Sequence, residues 1–191
     1  MAGSAPLTAV LDANVLYPTL VRDLLLSLAQ IGLYHARWTT DIENEWVRNL
    51  LADRPELASR LPDVVRLMRE AAPDCLVENH RPLIDAIQLP DPGDRHVVAA
   101  AIAGHADAIV TFNLKHFPAE TMALHGIEVL HPDDFVMYQL QLQPYAALEA
   151  IKGMRARWKN PPRSAEELIS ALEKRGLTMA AAHLGEVRGL I

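Results

Sequence analysis

Residues 89–118 read LPDPGDRHVVAAAIAGHADAIVTFNLKHFP, and this stretch decides the fold that we expect. A Pro-Gly turn precedes a helix that runs from Asp94 to about His105, with Asp91 as its N-cap. Residues 108–112 then form an apolar run that has the length of a strand and ends in polar residues. An acidic turn, a helix and a buried strand in this order predict a site at the carboxyl edge of a parallel sheet.

The rest of the chain repeats this alternation. Apolar runs of strand length occur at residues 8–11, 33–38, 75–77, 108–112 and 127–130, and segments with helical spacing separate them. The pattern predicts an α/β fold with a parallel sheet of about five strands, flanked by helices. From residue 144 onward no strand-like run appears. We therefore expect an α/β domain over residues 1–143 and a helical C-terminal extension over residues 144–191.

Two segments have the spacing of a capping box, in which a Ser or Thr caps a helix and a Glu follows three residues later. These segments are Thr40–Glu43 and Ser164–Glu167. Both predict the start of a helix.

Composition limits the classes of function. Cys75 is the single cysteine and lies in an apolar run, so we expect no intrachain disulfide and a buried, inert thiol. The N-terminus lacks the features of a signal peptide and no run of about 18 apolar residues exists, so we expect a cytoplasmic protein that does not enter a membrane. A net charge of −6 argues against strong non-specific binding to nucleic acid, although residues 1–140 carry −9 and residues 141–191 carry +3.

Acidic and amide side chains are expected at one edge of the sheet. Asp12 ends the first strand, Glu45 lies near the start of a helix, and Asp94 starts the helix before the fourth strand. Asn113 follows that strand, and Asp91 is a fifth candidate. Because the carboxyl ends of parallel strands share an edge with the helices that follow them, these oxygens can meet.

Converging carboxylates repel one another, and a hard divalent cation removes this repulsion. Mg²⁺ or Mn²⁺ prefers a site of oxygen ligands and retained waters. Such an ion polarises a phosphoryl oxygen, activates a water and stabilises the leaving oxygen. The pattern therefore indicates phosphodiester hydrolysis, which requires neither a histidine base nor a serine or cysteine nucleophile.

These motifs resemble those of the PIN domain, and more narrowly those of the bacterial VapC-type toxins. The resemblance covers about residues 7–140. It rests on VLDANVL at 10–16, Glu45 in a helix, DRH at 94–96 before an alanine-rich helix, IVTFN at 109–113 and KHFP at 115–118. Each motif is weak alone, but their order and spacing together are fairly specific.

The resemblance implies a Mg²⁺- or Mn²⁺-dependent endoribonuclease whose acidic metal ligands are Asp12, Glu45 and Asp94. The fourth position of the family is often Asp; Asn113 keeps an oxygen there but removes a charge from a second-metal site. The resemblance also implies an RNA substrate, a homodimer and a small antitoxin protein whose C-terminal segment enters the acidic groove. The helical extension resembles one found in some members of the family.

Other interpretations of the same residues stay open at this point. Asp12 and Asp94 are also typical helix-capping residues, and Glu45 alone is typical of a solvated helix face. The histidines lack zinc-site spacing, so we expect no metal role for them. The candidate phosphate contacts are Arg95, Lys115 and the tail residues Lys152, Arg155, Arg157, Lys159 and Arg163.

Two further classes of function compete with the nuclease. One is a phosphotransfer domain, either a phosphatase or a receiver module, in which Asp12 accepts the phosphoryl group. The residue at position 14 is Asn rather than an acid, which weakens the phosphatase version. The other is a binding module that lacks catalysis and acts only through a partner.

Overall fold

The computed structural model of the protein describes residues 6–191. Four parallel strands form one sheet in the order β2-β1-β3-β4. The strands are β1 (Leu7–Leu11), β2 (Tyr34–Arg37), β3 (Ala108–Val110) and β4 (Glu128–Leu130). This arrangement confirms the predicted α/β class with a parallel sheet, but the number of strands is four rather than five.

Helices flank the sheet. The α-helices of the described residues are α1 (Ala13–Leu16), α2 (Thr19–Gln30), α3 (Thr40–Asp53), α4 (Leu61–Ala71), α5 (Arg95–Ala103), α6 (Ala119–Ala123), α7 (Pro132–Leu142), α8 (Pro144–Ala156), α9 (Ala165–Lys174) and α10 (Thr178–Glu186). Short 3₁₀ turns cover Pro55–Leu57, Arg81–Ala86, Pro92–Asp94, Leu114–His116 and Arg188–Leu190.

The two central strands form the floor of the core. Residues 9–11 of β1 and 108–110 of β3 are fully buried, as continuous apolar runs are in parallel strands that helices cover on both faces. Leu11 lies opposite Val110 in the register of the two strands. The carboxyl ends of β1 and β3 are therefore adjacent at one edge of the sheet.

The expected strand at residues 75–77 is reduced to one bridge. Leu76 pairs with Trp38 just beyond the end of β2, through two backbone hydrogen bonds of 2.8 Å that the Trp38 peptide shares with the chain at residues 75 and 77. Asp74 and Asn79 both adopt positive φ, 58° and 60°, so the chain turns away on either side of the bridge. Cys75 is buried as expected, and this burial raises the pKa of its thiol to about 11.

The first predicted capping box is wrong by one residue. Thr39, not Thr40, is the N-cap of α3, and its hydroxyl accepts a hydrogen bond of 3.2 Å from the Ile42 backbone N–H. Because the helix begins earlier than predicted, Glu43 is displaced from the position that would reach back to the cap. It instead accepts hydrogen bonds from the Arg69 guanidinium and the Trp38 indole, which join α3 to α4 and to the end of β2.

The turn at residues 91–94 forms largely as predicted. The Asp91 carboxylate accepts a hydrogen bond of 2.8 Å from the Gly93 N–H and caps the 3₁₀ turn that Pro92 begins. The α-helix proper begins at Arg95 and ends at Ala103, so Asp94 lies at its N-cap position. This places the Asp94 carboxylate at the carboxyl edge of the sheet.

The C-terminal helices pack on the α/β part of the chain. The buried Asp133 of α7 accepts hydrogen bonds of 2.8 Å from the Met179 and Ala180 backbone N–H groups at the start of α10. Arg157 donates to the Ser27 hydroxyl of α2 at 2.7 Å. The predicted capping box at Ser164 and Glu167 is present and starts α9. Among residues 6–191, no helix combines the length and the apolar character needed to cross a membrane.

Candidate metal centre

Asp12 is the buried base of the site. It follows β1, is only 4% exposed, and its backbone N–H donates to the Val110 carbonyl of β3 at 3.1 Å. Its Oδ2 accepts hydrogen bonds from Asn14 Nδ2 at 2.6 Å and from Thr111 Oγ1 at 2.7 Å. Asn14 also binds Thr111 and the Phe112 N–H, so a polar network fixes the Asp12 carboxylate between the ends of the two central strands.

Glu45 reaches the site from α3. It lies in the second turn of this helix and its side chain is 34% exposed. His96, in the first turn of α5, brings its Nε2 to 3.2 Å from Glu45 Oε2. The pair therefore links the two helices across the mouth of the site.

Asp94 completes the acidic set from the start of α5. Its Oδ2 lies 2.7 Å from His116 Nδ1, which the 3₁₀ turn after β3 carries back toward the start of α5. Asp91, Asp94 and His116 each offer one ligand atom, and these three atoms lie within 4.8 Å of one another. The turn at residues 91–94 and the turn after β3 thus meet at one point.

An open cavity of about 540 Å³ connects Glu45, Asp91, Asp94 and His96 to solvent, whereas Asp12 and His116 are not among its lining residues. Its lining residues are Asp41, Asn44, Glu45, Arg48, Asp91, Gly93, Asp94 and His96. A larger cavity of about 650 Å³ lies between α6, β4 and the turn before α6, but its walls are mostly apolar. We place the chemistry at the smaller cavity because it contains the carboxylates.

The pKa values show that the acids interact. The pKa of Asp12 is raised to about 6, mainly by burial and also by the charges of Glu45 and Asp94, against the opposing hydrogen bond from Thr111. Burial also raises the pKa of Asp94; the charges of Asp91 and Glu45 add to this effect, while His116 opposes it. Ionised together, these carboxylates repel one another in a partly buried space.

His96 responds to the same negative field. Its burial alone lowers its pKa, but the hydrogen bond and charge of Glu45, with the charges of Asp12 and Asp41, outweigh burial and raise it. A raised imidazole pKa beside a raised carboxyl pKa is the electrostatic signature of excess negative charge. The site therefore favours a positive ligand.

The donor set fits a divalent cation. Carboxylate oxygens of Asp12, Glu45 and Asp94 come from three separate elements, and a cation offsets both the burial and the repulsion that raise the pKa values of the two aspartates. Hard cations such as Mg²⁺ and Mn²⁺ take carboxylate ligands and retain waters, for which the open cavity leaves room. These three residues are the ones that would hold the ion.

The other predicted residues differ in their placement. Asn113 lies at the same edge, half-buried, with its backbone N–H bound to Thr111 Oγ1 at 3.0 Å, but it is not among the residues that line the acidic cavity. Lys115 lines the larger apolar cavity instead. In the tail, Arg155 donates to backbone carbonyls and Arg163 stacks on Trp158 at 4.5 Å.

Sequence reasoning missed the two histidines. We expected no metal role because no pair of histidines shows a zinc-binding spacing, yet His96 and His116 each contact one of the three predicted acids. A usable signal was present: His96 follows Asp94 by two residues and His116 follows Asn113 by three. Thr111 and Asn14, which hold Asp12, likewise adjoin the predicted residues.

Two known families match parts of this sequence. Residues 8–115 match the sequence model of the PIN domain, and these residues are more than half of the chain. The chain therefore belongs to the PIN domain family, as its motifs suggested. Residues 132–186 match a second family, described as the VapC50 C-terminal domain.

One curated relative narrows the comparison. A protein of Mycobacterium tuberculosis named "Putative ribonuclease VapC50" is 46% identical over 79 residues, which are 41% of this chain and 47% of that protein. The chain thus spans about half the length of the curated relative it matches. No solved structure gives a significant match.

Proposed function

We propose that the chain is a Mg²⁺- or Mn²⁺-dependent endoribonuclease that hydrolyses RNA phosphodiester bonds. The observation that carries the proposal is the convergence of Asp12, Glu45 and Asp94: burial raises the pKa values of both aspartates, and neighbouring carboxylate charges add to this effect. Membership of the PIN domain family and the name of the mycobacterial relative support it. The identity of the metal and the cleavage of RNA are parts of the proposal.

Each residue has a stated role in this proposal. A bound divalent ion supplies Lewis-acid activation of the phosphoryl group and of a water. Asp12 is held in a single orientation by Asn14 and Thr111, so its free carboxylate oxygen faces a defined direction. Glu45 and Asp94 each contact one histidine, Glu45 with His96 at 3.2 Å and Asp94 with His116 at 2.7 Å. We assign Asn113 as a neutral fourth group at the edge of the site.

Burial of Asp12 argues against the phosphotransfer alternative. A nucleophilic carboxylate oxygen must reach the phosphorus of its substrate. Asp12 is 4% exposed, and one of its oxygens already accepts two short hydrogen bonds. A ligand role, in which the metal and not the carboxylate contacts the phosphate, suits this position better.

We further propose that the chain is the toxin of a toxin–antitoxin pair and forms a homodimer with a small antitoxin bound to it. The VapC name of the relative and the match of the C-terminal segment support this assignment. Large apolar side chains are exposed around the α7–α8 junction, with Tyr145 86% and Leu142 54% exposed. Such a patch is typical of a surface that a protein partner covers.

The division of the chain at residues 143 and 144 is also a proposal. Gln143, with φ −140° and ψ 69°, separates α7 from α8, and Pro144 begins the new helix. The matched C-terminal family starts earlier, at residue 132, and so includes α7. Asp133 of α7 binds the start of α10, which explains why α7 belongs structurally to both parts.

The nuclease assignment is tested with Asp94→Asn. Asn keeps the size of the side chain but removes the charge, so cleavage of a labelled RNA pool with Mn²⁺ should fall at least about a hundredfold. Asp134→Asn is the matched control, because Asp134 is an exposed acid on α7 outside the cavity. Undiminished cleavage by Asp94→Asn, or cleavage in excess chelator, contradicts the assignment.

A further inference from the structure

We propose that His116 binds a divalent metal ion directly, together with Asp91 and Asp94. The ion at this position then has one imidazole nitrogen and two carboxylate oxygens as protein ligands. The inference rests on the proposed nuclease function and deepens it. The three ligand atoms lie within 4.8 Å of one another, close enough for one ion to contact all of them. Neither the sequence pattern nor the resemblance to the family assigned a histidine to the metal.

The local backbone delivers His116 to this point. Asn113 caps the 3₁₀ turn of residues 114–116, and the turn places the imidazole against the start of α5. The His116 and Asp94 side chains are 28% and 19% exposed, and Asp91 is exposed, so an ion reaches the cluster from solvent. His116 thus contacts Asp94 directly, although neither His116 nor Asn113 is among the residues that line the acidic cavity.

The short contact between His116 and Asp94 has a direct chemical meaning. His116 Nδ1 and Asp94 Oδ2 lie 2.7 Å apart, which is the distance of a hydrogen bond in which the ring N–H donates to the carboxylate. A divalent ion can replace this proton, because neutral imidazole and carboxylate are both ligands and ligand groups release protons when a metal binds. Asp91 then adds the third ligand from the turn that it caps.

Asp94 belongs to two groups at once. One group contains Asp12 and Glu45, and the charges of Glu45 and Asp94 both raise the pKa of Asp12. The other contains Asp91 and His116. A carboxylate has two oxygens, so Asp94 can serve an oxygen-only position on one side and the nitrogen-containing position on the other.

An imidazole nitrogen among the ligands changes which metal ions bind to the position formed by Asp91, Asp94 and His116. Imidazole suits transition metals, whereas Mg²⁺ is satisfied by carboxylate, carbonyl and water oxygens. We therefore expect Co²⁺ to bind the protein more tightly than Mg²⁺, with His116 responsible for much of the difference. The competing explanation is that His116 only orients Asp94 by its hydrogen bond and never touches the ion.

Two measurements on the whole chain without RNA separate these explanations. The first is pulsed electron paramagnetic resonance of protein-bound Mn²⁺, in which a coordinated imidazole gives a ¹⁴N modulation. The second is calorimetric titration with Co²⁺ and with Mg²⁺. The variants are His116→Gln, His96→Gln as the control inside the cavity, and His125→Gln as an exposed control away from it.

We expect the ¹⁴N modulation in the wild type and in both controls, and its loss in His116→Gln. The same variant should lose about tenfold in affinity for Co²⁺, and less than about threefold for Mg²⁺. Circular dichroism melting checks that the variants fold alike. These results together would establish His116 as a ligand.

The failures are distinguishable. Saturable Mn²⁺ binding without ¹⁴N modulation, or modulation that survives in His116→Gln, overturns the histidine ligand and leaves the nuclease proposal intact. Modulation that disappears only in His96→Gln shows that the nitrogen ligand is His96 and not His116, and this result also overturns the inference. Absence of any saturable binding of Mn²⁺, Co²⁺ or Mg²⁺ by the folded wild type rejects the proposed function together with this inference.

Discussion

Two buried aspartates show opposite ways of keeping a carboxylate out of water. Asp133, between α7 and α10, is 3% exposed and binds two backbone N–H groups at the start of a helix. Asp12, at the edge of the sheet, is 4% exposed, and its pKa rises to about 6 because of burial and the neighbouring acids. Burial is equal, but the surroundings have opposite electrostatic effects.

The difference distinguishes a structural acid from a functional one. Backbone N–H groups and the dipole of a helix N-terminus stabilise a negative charge, so Asp133 strengthens the junction of the C-terminal helices. Neighbouring carboxylates destabilise a negative charge, so Asp12 weakens the fold unless a cation is bound. A residue that lowers the stability of the fold is a candidate for a functional role, and substitutions of Asp12 and Asp133 should therefore have different effects.

The largest effect is expected for Asp12→Asn. Loss of a metal ligand at the base of the site should lower RNA cleavage about a thousandfold, which corresponds to roughly 4 kcal/mol of transition-state stabilisation. At pH 7 the metal-free variant should have the same melting temperature as the metal-free wild type, or a higher one, because the substitution removes a repulsive charge. Cleavage assays and calorimetric melting in chelator measure the two effects.

A substantial loss of stability in metal-free Asp12→Asn would contradict this view. Such a result would mean that the charge of Asp12 supports the hydrogen bonds from Asn14 and Thr111 more than its neighbours oppose it. Thr111→Val serves as a control for the hydrogen-bond network, since it removes the hydroxyl and keeps the shape of the side chain.

The opposite result is expected for Asp133→Ala. The change leaves the Met179 and Ala180 N–H groups at the start of α10 without their acceptor and should cost about 2–3 kcal/mol of unfolding free energy. Denaturant titration measures this loss. Asp134→Ala, the adjacent exposed acid, should change stability by less than about 0.5 kcal/mol.

Cleavage per folded molecule should survive Asp133→Ala, because Asp133 lies outside the acidic cavity. A large loss of specific activity in the folded variant would show that the junction of α7 and α10 affects the site. Asp12 and Asp133 would then both affect cleavage and would differ only in the size of the effect.

Much of this arrangement was predictable from the sequence. The apolar run at residues 108–112 predicted a buried strand, which the structure has at Ala108–Val110, and the turn at residues 91–94 predicted a capped helix, because both depend on neighbouring residues. Asp12, Glu45 and Asp94 were predicted to meet because parallel strands bring their carboxyl ends to one edge. Local signals were sufficient for the strand and the turn, whereas the binding of one ion by the three acids stays a prediction.

The remainder depends on contacts that are distant in sequence. Leu76 forms one bridge rather than a strand because the chain turns away at Asp74 and Asn79. Glu43 was assigned to a helix cap, but its partner Arg69 lies on another helix. His116 reaches Asp94 across a turn whose direction no local spacing encodes.

An effect of intermediate size is expected when metal binds. An ion that binds only the folded chain at a hundred times its dissociation constant should stabilise it by about 2.7 kcal/mol. Melting with and without Mn²⁺ measures this gain, which should nearly disappear in Asp12→Asn and persist in Asp133→Asn. An equal gain in all three proteins would place the ion outside the acidic cavity.

The smallest expected effect is the pH dependence of the metal-free protein. The pKa of Asp12 is about 6 in the folded chain and 3.8 ordinarily, so the folded state takes up a proton before the unfolded state does. Stability should therefore rise as pH falls from 7 to 5, by about 1 kcal/mol. The raised pKa values of Asp94 and His96 act in the same direction.

Asp12→Asn isolates the contribution of this one carboxyl. Denaturant titrations in chelator at pH 7 and pH 5 should show that the variant loses most of the rise, while Asp133→Asn keeps it. Asp41, whose pKa the hydrogen bond from Arg81 lowers to about 2, opposes the rise only below about pH 4 and so does not affect the comparison. A rise that Asp12→Asn keeps in full would contradict the raised pKa of Asp12, because the variant has no carboxyl at position 12 to take up the proton.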